Sequence, residues 1–456
     1  MSRISTSRIS ELRQDLGKIL RVLELSDVID KDLSVPTEEF ERRQIATWSA
    51  LDSNGIDVGI VFSDEHYNGD VPYLGGNTNI TIEQVAGAIG PNDFHIIAGL
   101  EGGYVAEQLA SRANAKVHKV ELLQLADEKY PIQAERLEDV IEETAGRHVN
   151  SIGLLTPRQV IPDGIVSYLE CIVGEENVID AQEIYYRTKY EKSDIEMALI
   201  RDACRIGDAM MRAMLAVLRP GLLETQVAGW AYWIAKELGS EENGWDVMVT
   251  SDEANRTLIG KALNRPIKPG AYVHLGVAPK RDGLTACVRR SLVAVENPAE
   301  VSPEQQYWFD FIEEAYQVGE EAYKRVAAEG LPARLQEQAL MDFFSAHNDE
   351  VSTRYGISIE LERLKPYTGT HNAGYTECQE FFGAITLDSD EPLGEQIVTM
   401  LDVAVRGVGN YWNDVVIPDM DFVVVENTLG KFGKKVETLN LLPNNVQSFV
   451  GSDFKN

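Results

Sequence analysis

The sequence has few basic residues, and this shortage makes one class of partner a poor candidate. Its 456 residues contain 42 Lys and Arg against 73 Asp and Glu, which gives a formal net charge of -31. Such a charge repels nucleic-acid phosphates and anionic lipid headgroups. We therefore expect neither nucleic acid nor a membrane as a partner, and we interpret the acidity as a source of solubility.

Cysteine is also scarce, and long apolar runs are absent from the sequence. The four cysteines are scattered and form no CxxC pair, a usage typical of a reducing compartment and not of a disulfide framework. No apolar run approaches the ~20 residues that a bilayer-spanning helix needs. The first twenty residues lack the apolar core and cleavage site of a signal peptide. These features predict a cytosolic protein.

The length and the ordinary composition predict two folded domains. Single cores stop growing near ~250 to 300 residues, and 44% of this chain is hydrophobic. Apolar strand-like runs alternate with helical segments up to about residue 180, which predicts an α/β domain over residues 1–184 with helices on a mostly parallel sheet. The predicted strands are 58–62, 95–98 and 151–155, the predicted helices are 82–88, 106–113 and 134–144, and GLEGGY at 99–104 is interpreted as a turn.

A change of pattern near Tyr185 begins the second predicted domain, residues 185–456. Apolar residues three and four apart predict a long amphipathic helix that ends at Pro220 and Gly221, followed by a helix over 224–238. Helices followed by strand-like segments indicate an α+β domain. The predicted strands are 245–250, 271–276, 283–295, 398–405 and 422–425, with helical regions inserted at 302–329 and 335–346.

Four segments of this second domain, in order, carry a family resemblance. They are YRTKYEKSDIEMALIRDACRIGDAMM with LRPGLLETQVA, then ALNRPIKPGAYVHLGVAPKRDGLTACVRRSLVAV, then THNAG, then PDMDFVVVENTLG. Over about residues 185 to 435 they resemble the creatinase, aminopeptidase P and prolidase superfamily. The resemblance implies a pita-bread catalytic domain that follows a creatinase-type N-terminal α/β domain. It also implies a homodimer.

Peptidases of this superfamily hold two metal ions with two Asp, one His and two Glu, and the resemblance assigns a residue to each position. His371 keeps the ligand His, and Asp402 takes the first Glu position, with Leu401 as the competing register. The further His that assists peptide hydrolysis corresponds to Cys378. The two Asp positions and the second Glu position correspond to Gly276, Cys287 and Met420. The resemblance therefore predicts that the bridged two-metal centre is absent.

Three hypotheses about function follow from this assignment. We prefer a metal-independent, creatinase-type hydrolase that cleaves a carbon-nitrogen bond in a small metabolite without a cofactor; a lyase is a related possibility. Creatinase itself is not reproduced, because its catalytic His and active-site Glu positions are Ile259 and Arg289. A single softer ion such as Zn²⁺ on Cys287, His371, Asp402 and Met420 is the second hypothesis. A pita-bread binding protein without catalysis is the third.

The preferred hypothesis gives each candidate residue a role. His371 acts as general acid and base, because a neutral imidazole can take and return a proton near pH 7. Asp402 interrupts an apolar strand, where an unpaired carboxylate is costly, so it should meet His371, Arg289 or a cationic group. Cys287 is either a nucleophile or a small buried hydrophobe. Glu377 is a further catalytic candidate, and the predicted substrate-binding residues are His274, Arg289, Tyr375, Cys378 and Met420.

The remaining histidines match no motif of the resemblance. We interpret them as bystanders: His66, His95, His118, His148 and His347.

Overall fold

The computed structural model describes residues 5–124, 134–376, 383–452 and 454, which fold into two compact units. The smaller unit comprises the described parts of Ser34–Glu191 and Gly374–Phe381, and the larger unit comprises those of Met1–Leu33, Lys192–Ala373 and Phe382–Asn456. Helix α1 (Thr6–Glu24) thus belongs to the larger unit, because Ile19 and Val22 are buried in its core. The predicted boundary after residue 184 stays a prediction.

The smaller unit is built on a six-stranded sheet with the order β4-β3-β2-β1-β5-β6 among its described residues. Three neighbouring pairs are parallel and two are antiparallel. Its strands are β1 (Val58–Ser63), β2 (Val85–Ile89), β3 (Phe94–Ala98), β4 (Lys116–Lys119), β5 (Ile152–Leu154) and β6 (Val178–Asp180). Its helices are α2 (Thr37–Ser53), α3 (Asp70–Gly75), α4 (Leu100–Glu107), α5 (Leu137–Ala145), α6 (Asp163–Val173) and α7 (Gln182–Tyr190).

Two predictions for this unit are wrong. The helix predicted over 82–88 is instead strand β2, buried along its whole length, because periodicity cannot separate a short buried strand from a buried helix. The turn predicted at 99–104 begins helix α4. Its two glycines, Gly102 and Gly103, pack against the side chains of Glu83 and Lys119 so closely that a Cβ atom would clash. The glycines therefore serve close packing and not a turn.

The larger unit is built on a seven-stranded antiparallel sheet with the order β12-β13-β14-β11-β8-β7, and β15 pairs with β14. Its strands are β7 (Met248–Ser251), β8 (Tyr272–Val277), β9 (Lys280–Arg281), β10 (Leu284–Thr285), β11 (Val288–Val293), β12 (Thr370–Asn372), β13 (Gln396–Arg406), β14 (Phe422–Phe432) and β15 (Lys435–Thr438), of which β9 and β10 form a separate two-stranded ribbon. Its further helices are α8 (Asp194–Val217), α9 (Glu224–Leu238), α10 (Pro303–Glu329), α11 (Arg334–Ala346) and α12 (Asn348–Tyr355).

Helices cover one face of this larger sheet, and the other face carries buried polar side chains between small apolar clusters. Leu401 and Val403 of β13 and Val425 of β14 point into the apolar core shared with α10 and α11. Since neighbouring residues of a strand point to opposite faces, Asp402 and Glu426 point away from that core. The alternation thus gives the sheet a second, buried polar face. None of the described helices is long and apolar enough to cross a membrane.

Candidate functional site

The candidate site is a row of side chains on the face of the larger sheet opposite the helices. Asp402 of β13 lies directly across from Glu426 of β14, and Glu426 lies across from Arg289 of β11. His371 on β12 completes the row at the edge of the sheet. All four residues are at least nine-tenths buried. Strand register therefore brings a histidine, two carboxylates and a guanidinium together.

Arg289 is the positive centre of this row. Its Nη1 donates to Asp402 Oδ2 at 2.9 Å, and its Nε lies 3.7 Å from Glu426 Oε2. Burial works against its charge, but Tyr367, Asp402 and Glu426 together hold the pKa of Arg289 above its usual range. The guanidinium is thus a permanent cation between two buried carboxyl groups.

Three further contacts hold the guanidinium in place. Its Nε donates to His274 Nε2 at 2.9 Å, its Nη1 donates to the Tyr367 hydroxyl at 3.0 Å, and its Nη2 donates to the Leu258 carbonyl at 2.6 Å. Burial, with the neighbouring Arg289 charge, lowers the pKa of His274 well below its usual range. His274 is therefore a neutral acceptor that fixes the orientation of Arg289.

The two carboxyl groups are in different electrostatic environments. Burial and the nearby charge of Glu426 raise the pKa of Asp402 to about 7, although Arg289 and His371 oppose the shift. Burial would also raise the pKa of Glu426, but His371 and Arg289 hold it below its ordinary value. The pair thus contains one carboxylate that stays charged and one carboxyl that can carry a proton near neutral pH.

His371 faces the charged member of this pair. Its Nε2 lies 3.6 Å from Glu426 Oε1, and its Nδ1 lies 3.4 Å from the Asn372 carbonyl. Side-chain contacts with His371 and Cys287 lower the pKa of Glu426. Glu426 is therefore positioned to stabilise a positive charge on the His371 ring.

Cys287 lies on the same face, where its side chain also contacts Glu426 and helps to lower the pKa of that carboxylate. It is 1% exposed and packs in a small cluster with Ala373 and Met400. Its backbone N–H donates to the Thr428 hydroxyl at 3.0 Å. These contacts are typical of a small buried hydrophobe; a nucleophilic role stays a prediction.

The structure brings together four of the predicted site residues: His371, Asp402, Arg289 and His274. It also settles the register that the sequence left open, because Leu401 points into the core and Asp402 into the site.

Met420 does not lie with this group. It is buried in the apolar core on the helix side of the sheet, and β14 begins only at Phe422. The carboxylate beside Asp402 is instead Glu426, six residues later, which sequence analysis missed. The position of Met420 therefore does not support the substrate-binding role predicted for it.

The remaining predicted residues follow THNAG. Tyr375 belongs to the smaller unit, where its hydroxyl accepts a hydrogen bond from Arg43 at 3.1 Å and its ring meets Tyr73 edge-on. The structure therefore gives Tyr375 a packing role within that unit. Glu377 and Cys378 lie outside the described residues.

Comparison with known proteins finds a family match over part of the chain. Residues 198–391 match Metallopeptidase family M24. An uncharacterized peptidase YqhT of Bacillus subtilis is 20% identical over 242 residues, 53% of this chain and 63% of that protein. An Xaa-Pro dipeptidase of Pyrococcus horikoshii is 24% identical over 228 residues, 49% of this chain and 63% of that protein. The matched part therefore spans less than two thirds of these two relatives.

A solved structure extends the likeness to most of the chain. The Xaa-Pro dipeptidase from Bacillus anthracis superposes with a TM-score of 0.66 at 16% identity, over 90% of this chain and 99% of that one. The family match over residues 198–391 and the shared fold support the predicted resemblance to the creatinase, aminopeptidase P and prolidase superfamily. The predicted fold class, an α/β N-terminal domain followed by a pita-bread domain, is confirmed.

The matched family is one of metallopeptidases, and the residues of the candidate site fit one metal ion better than two. His371, Asp402 and Glu426 each offer a ligand atom, and these atoms lie within 4.8 Å of one another. Gly276 has no ligand side chain, and Arg289 already bonds Asp402. Three protein ligands suffice for one metal ion with an open position. The described residues around these three ligands do not complete a binding site for a second metal ion.

Proposed function

We propose that this protein is a hydrolase that cleaves a carbon-nitrogen bond in a small substrate, with Arg289 supplying the fixed positive charge of the site. One observation carries the proposal: the Arg289 guanidinium bonds Asp402 at 2.9 Å and lies 3.7 Å from Glu426. With Asp402 protonated and His371 neutral, the Arg289 cation balances the Glu426 carboxylate. The chain's own side chains thus satisfy the charge of the site, which supports a mechanism without metal.

The reaction needs a base for water and an acid for the leaving nitrogen. His371 takes a proton from the attacking water, and ionised Glu426 stabilises the resulting imidazolium. As the water oxygen bonds to the carbon, the carbon-nitrogen bond breaks and the nitrogen takes the proton of Asp402. The pKa of Asp402, raised to about 7 by burial and by Glu426, suits it to this role. Proton transfer from His371 to Asp402 then restores the starting state.

Arg289 positions the acid in this scheme. Its contacts with His274, Tyr367 and the Leu258 carbonyl fix the guanidinium. Tyr367 also donates to Asp402 Oδ1 at 3.1 Å, so both oxygens of the acid are held. A preorganised array of this kind costs little reorganisation during the reaction.

A hydrolase that uses one metal ion is the second candidate function. The observation in its favour is the cluster of three ligand atoms from His371, Asp402 and Glu426 within 4.8 Å. An ion bound there would act as a Lewis acid and lower the pKa of a water. In that case Asp402 would be a ligand and not the proton donor.

A substrate screen tests the proposal. The purified protein is assayed against small amides, ureas, guanidino acids, cyclic imides and Xaa-Pro dipeptides, the last because relatives carry that name. We expect turnover of one class, its loss in His371→Gln, and its retention in the exposed control His66→Gln. Failure of every class, or equal turnover by His371→Gln, would contradict the proposal.

The predicted homodimer and cytosolic location remain proposals. Sedimentation of the purified protein, with an expected mass of twice 50.7 kDa, tests the first of them.

A further inference from the structure

Two buried histidines of the smaller unit lie side by side, although neither belongs to a motif of the superfamily. His95 is on β3 and His118 is on the parallel strand β4; they are 0% and 6% exposed. His95 Nδ1 and His118 Nε2 are 2.9 Å apart, and the two ring planes are within 6° of parallel. A histidine pair buried in contact needs a chemical reason, because each ring has two nitrogens to satisfy.

In each ring, the nitrogen that points away from the other histidine, here called the outer nitrogen, lies within hydrogen-bond distance of a carboxylate. Asp93 Oδ1 lies 2.8 Å from His95 Nε2, and Glu135 Oε2 lies 2.9 Å from His118 Nδ1. Since an ionised carboxylate only accepts, both outer nitrogens carry hydrogens. In the neutral rings the two inner nitrogens therefore present lone pairs to each other. A carboxylate behind each imidazole is the arrangement that orients metal-binding histidines.

A third side chain that can bind a metal lies close to the two inner nitrogens. Glu143 of α5 offers a carboxylate oxygen, and its ligand atom and those of the two histidines all lie within 4.8 Å of one another. Glu143 is 49% exposed and pairs with Lys116, whose Nζ lies 3.1 Å from its Oε1 and 2.9 Å from Asp93 Oδ2. The ammonium group of Lys116 thus holds Glu143 beside the histidines.

We infer that His95, His118 and Glu143 form a binding site for one divalent ion of the Zn²⁺ type. Two His and one Glu are a known zinc ligand set that leaves a position for water. Two nitrogens bound at ~2.0 to 2.1 Å in tetrahedral geometry are about 3.3 Å apart. The inner nitrogens, now 2.9 Å apart, need to separate by only about 0.4 Å while the rings tilt about their carboxylate contacts. When the metal ion binds, Glu143 leaves its ion pair with Lys116 and coordinates the ion.

The site differs from that of His371 in the groups that hold its ligand side chains. Asp93 and Glu135 hold the two histidines in the tautomers that free their inner nitrogens, whereas Arg289 holds Asp402 in the other site. The inference does not depend on the proposed hydrolase function.

Metal analysis of untagged protein tests the inference. Protein equilibrated with Zn²⁺ and then dialysed is measured for bound zinc by mass spectrometry, and Co²⁺ replaces Zn²⁺ for visible spectra of a tetrahedral site. We expect one ion per chain in the wild type and in His371→Gln. We expect its loss in His95→Gln and in Glu143→Gln, a surface change that leaves the core intact.

The Lys116 ion pair supplies the matched variant. Lys116→Gln removes the cation that competes with a bound ion for the Glu143 carboxylate, so zinc affinity should rise. Zinc that disappears in His371→Gln and persists in His95→Gln would overturn the inference and place the ion in the other site. Absence of bound zinc, or content unaffected by Glu143→Gln, would also overturn it.

Discussion

Arg289 and Asp402 are joined by a 2.9 Å hydrogen bond across the central strand of the larger sheet, with both side chains about 95% buried. The strand between them contributes Glu426, opposite both residues. Removal of one partner of such a buried pair leaves an uncompensated charge, which is far more costly than the loss of an exposed ion pair.

Asp402→Asn should abolish turnover and reduce stability. The amide cannot donate an acid proton to the leaving nitrogen, and it replaces the carboxyl group that accepts from Arg289 Nη1. We expect a loss of roughly 3 kcal/mol in the free energy of unfolding, measured by urea denaturation. The control Asp139→Asn, at an exposed helix position, should change neither quantity. Full activity in Asp402→Asn would contradict the assignment of the acid.

The pH dependence of stability should reveal the raised pKa of Asp402. Its ordinary pKa is 3.8 and its folded pKa is about 7, so the folded protein binds more protons between these values. The contribution of Asp402 to stability is therefore fully present below about pH 4 and is lost as the pH rises to about 7. The slope approaches about 1.4 kcal/mol per pH unit. Urea titrations from pH 4 to 8 should show this slope in the wild type and its absence in Asp402→Asn.

The protonation of Asp402 should also determine how activity depends on pH. Because the protonated form of Asp402 is the acid, kcat/KM should fall as the pH rises above about 7. The profile is measured with the substrate found by the screen. A rate that continues to rise beyond pH 8 would indicate that Asp402 is not the proton donor.

Arg289→Met should destabilise the protein more than Arg289→Lys. The methionine leaves Asp402 and Glu426 as buried carboxyl groups without their cation, whereas lysine keeps a charge but not the planar contacts to His274 and Leu258. We expect activity to be lost in Arg289→Met and to remain in part in Arg289→Lys. Calorimetry and steady-state kinetics measure the two effects. Equal stability of both variants would contradict the role of Arg289 as fixed cation.

Cys287→Ala should keep most of the activity. The thiol is 1% exposed and packs with Ala373 and Met400, so its removal costs packing, about 1 kcal/mol. Steady-state rates and thermal unfolding of the variant measure the two effects. Complete inactivation of a folded Cys287→Ala would instead support the nucleophile.

Sequence patterns predicted those parts of the fold whose signals are local. The helix over 224–238 is observed with the same bounds, because its apolar spacing and flanking glycines are local features. Strand β2 was mistaken for a helix, because its identity depends on pairing with β1 and β3. The sequence of helix α1 does not indicate that the helix packs in the core of the larger unit, because that packing is a contact between distant parts of the chain.

Some residues of the candidate site also have a local signal in the sequence, and others do not. Asp402 is identifiable from the sequence as a carboxylate in an apolar strand, and Glu426 in VVVENTL has the same pattern. The family motif, however, assigns the second Glu position to Met420, so Glu426 is not predicted. Tyr367 has no comparable signal, because its approach to Arg289 and Asp402 depends on a loop before β12. The histidines His95 and His118 were set aside because they match no motif, whereas strand pairing brings them into contact.

Turnover by metal-free protein tests the central claim most directly. The protein is dialysed against a chelator until metal analysis finds no bound ion, and kcat/KM is then measured with the identified substrate. The account predicts an unchanged rate, because Arg289, His371, Asp402 and Glu426 carry the chemistry. A rate that falls to background and returns with one equivalent of a divalent ion would contradict it.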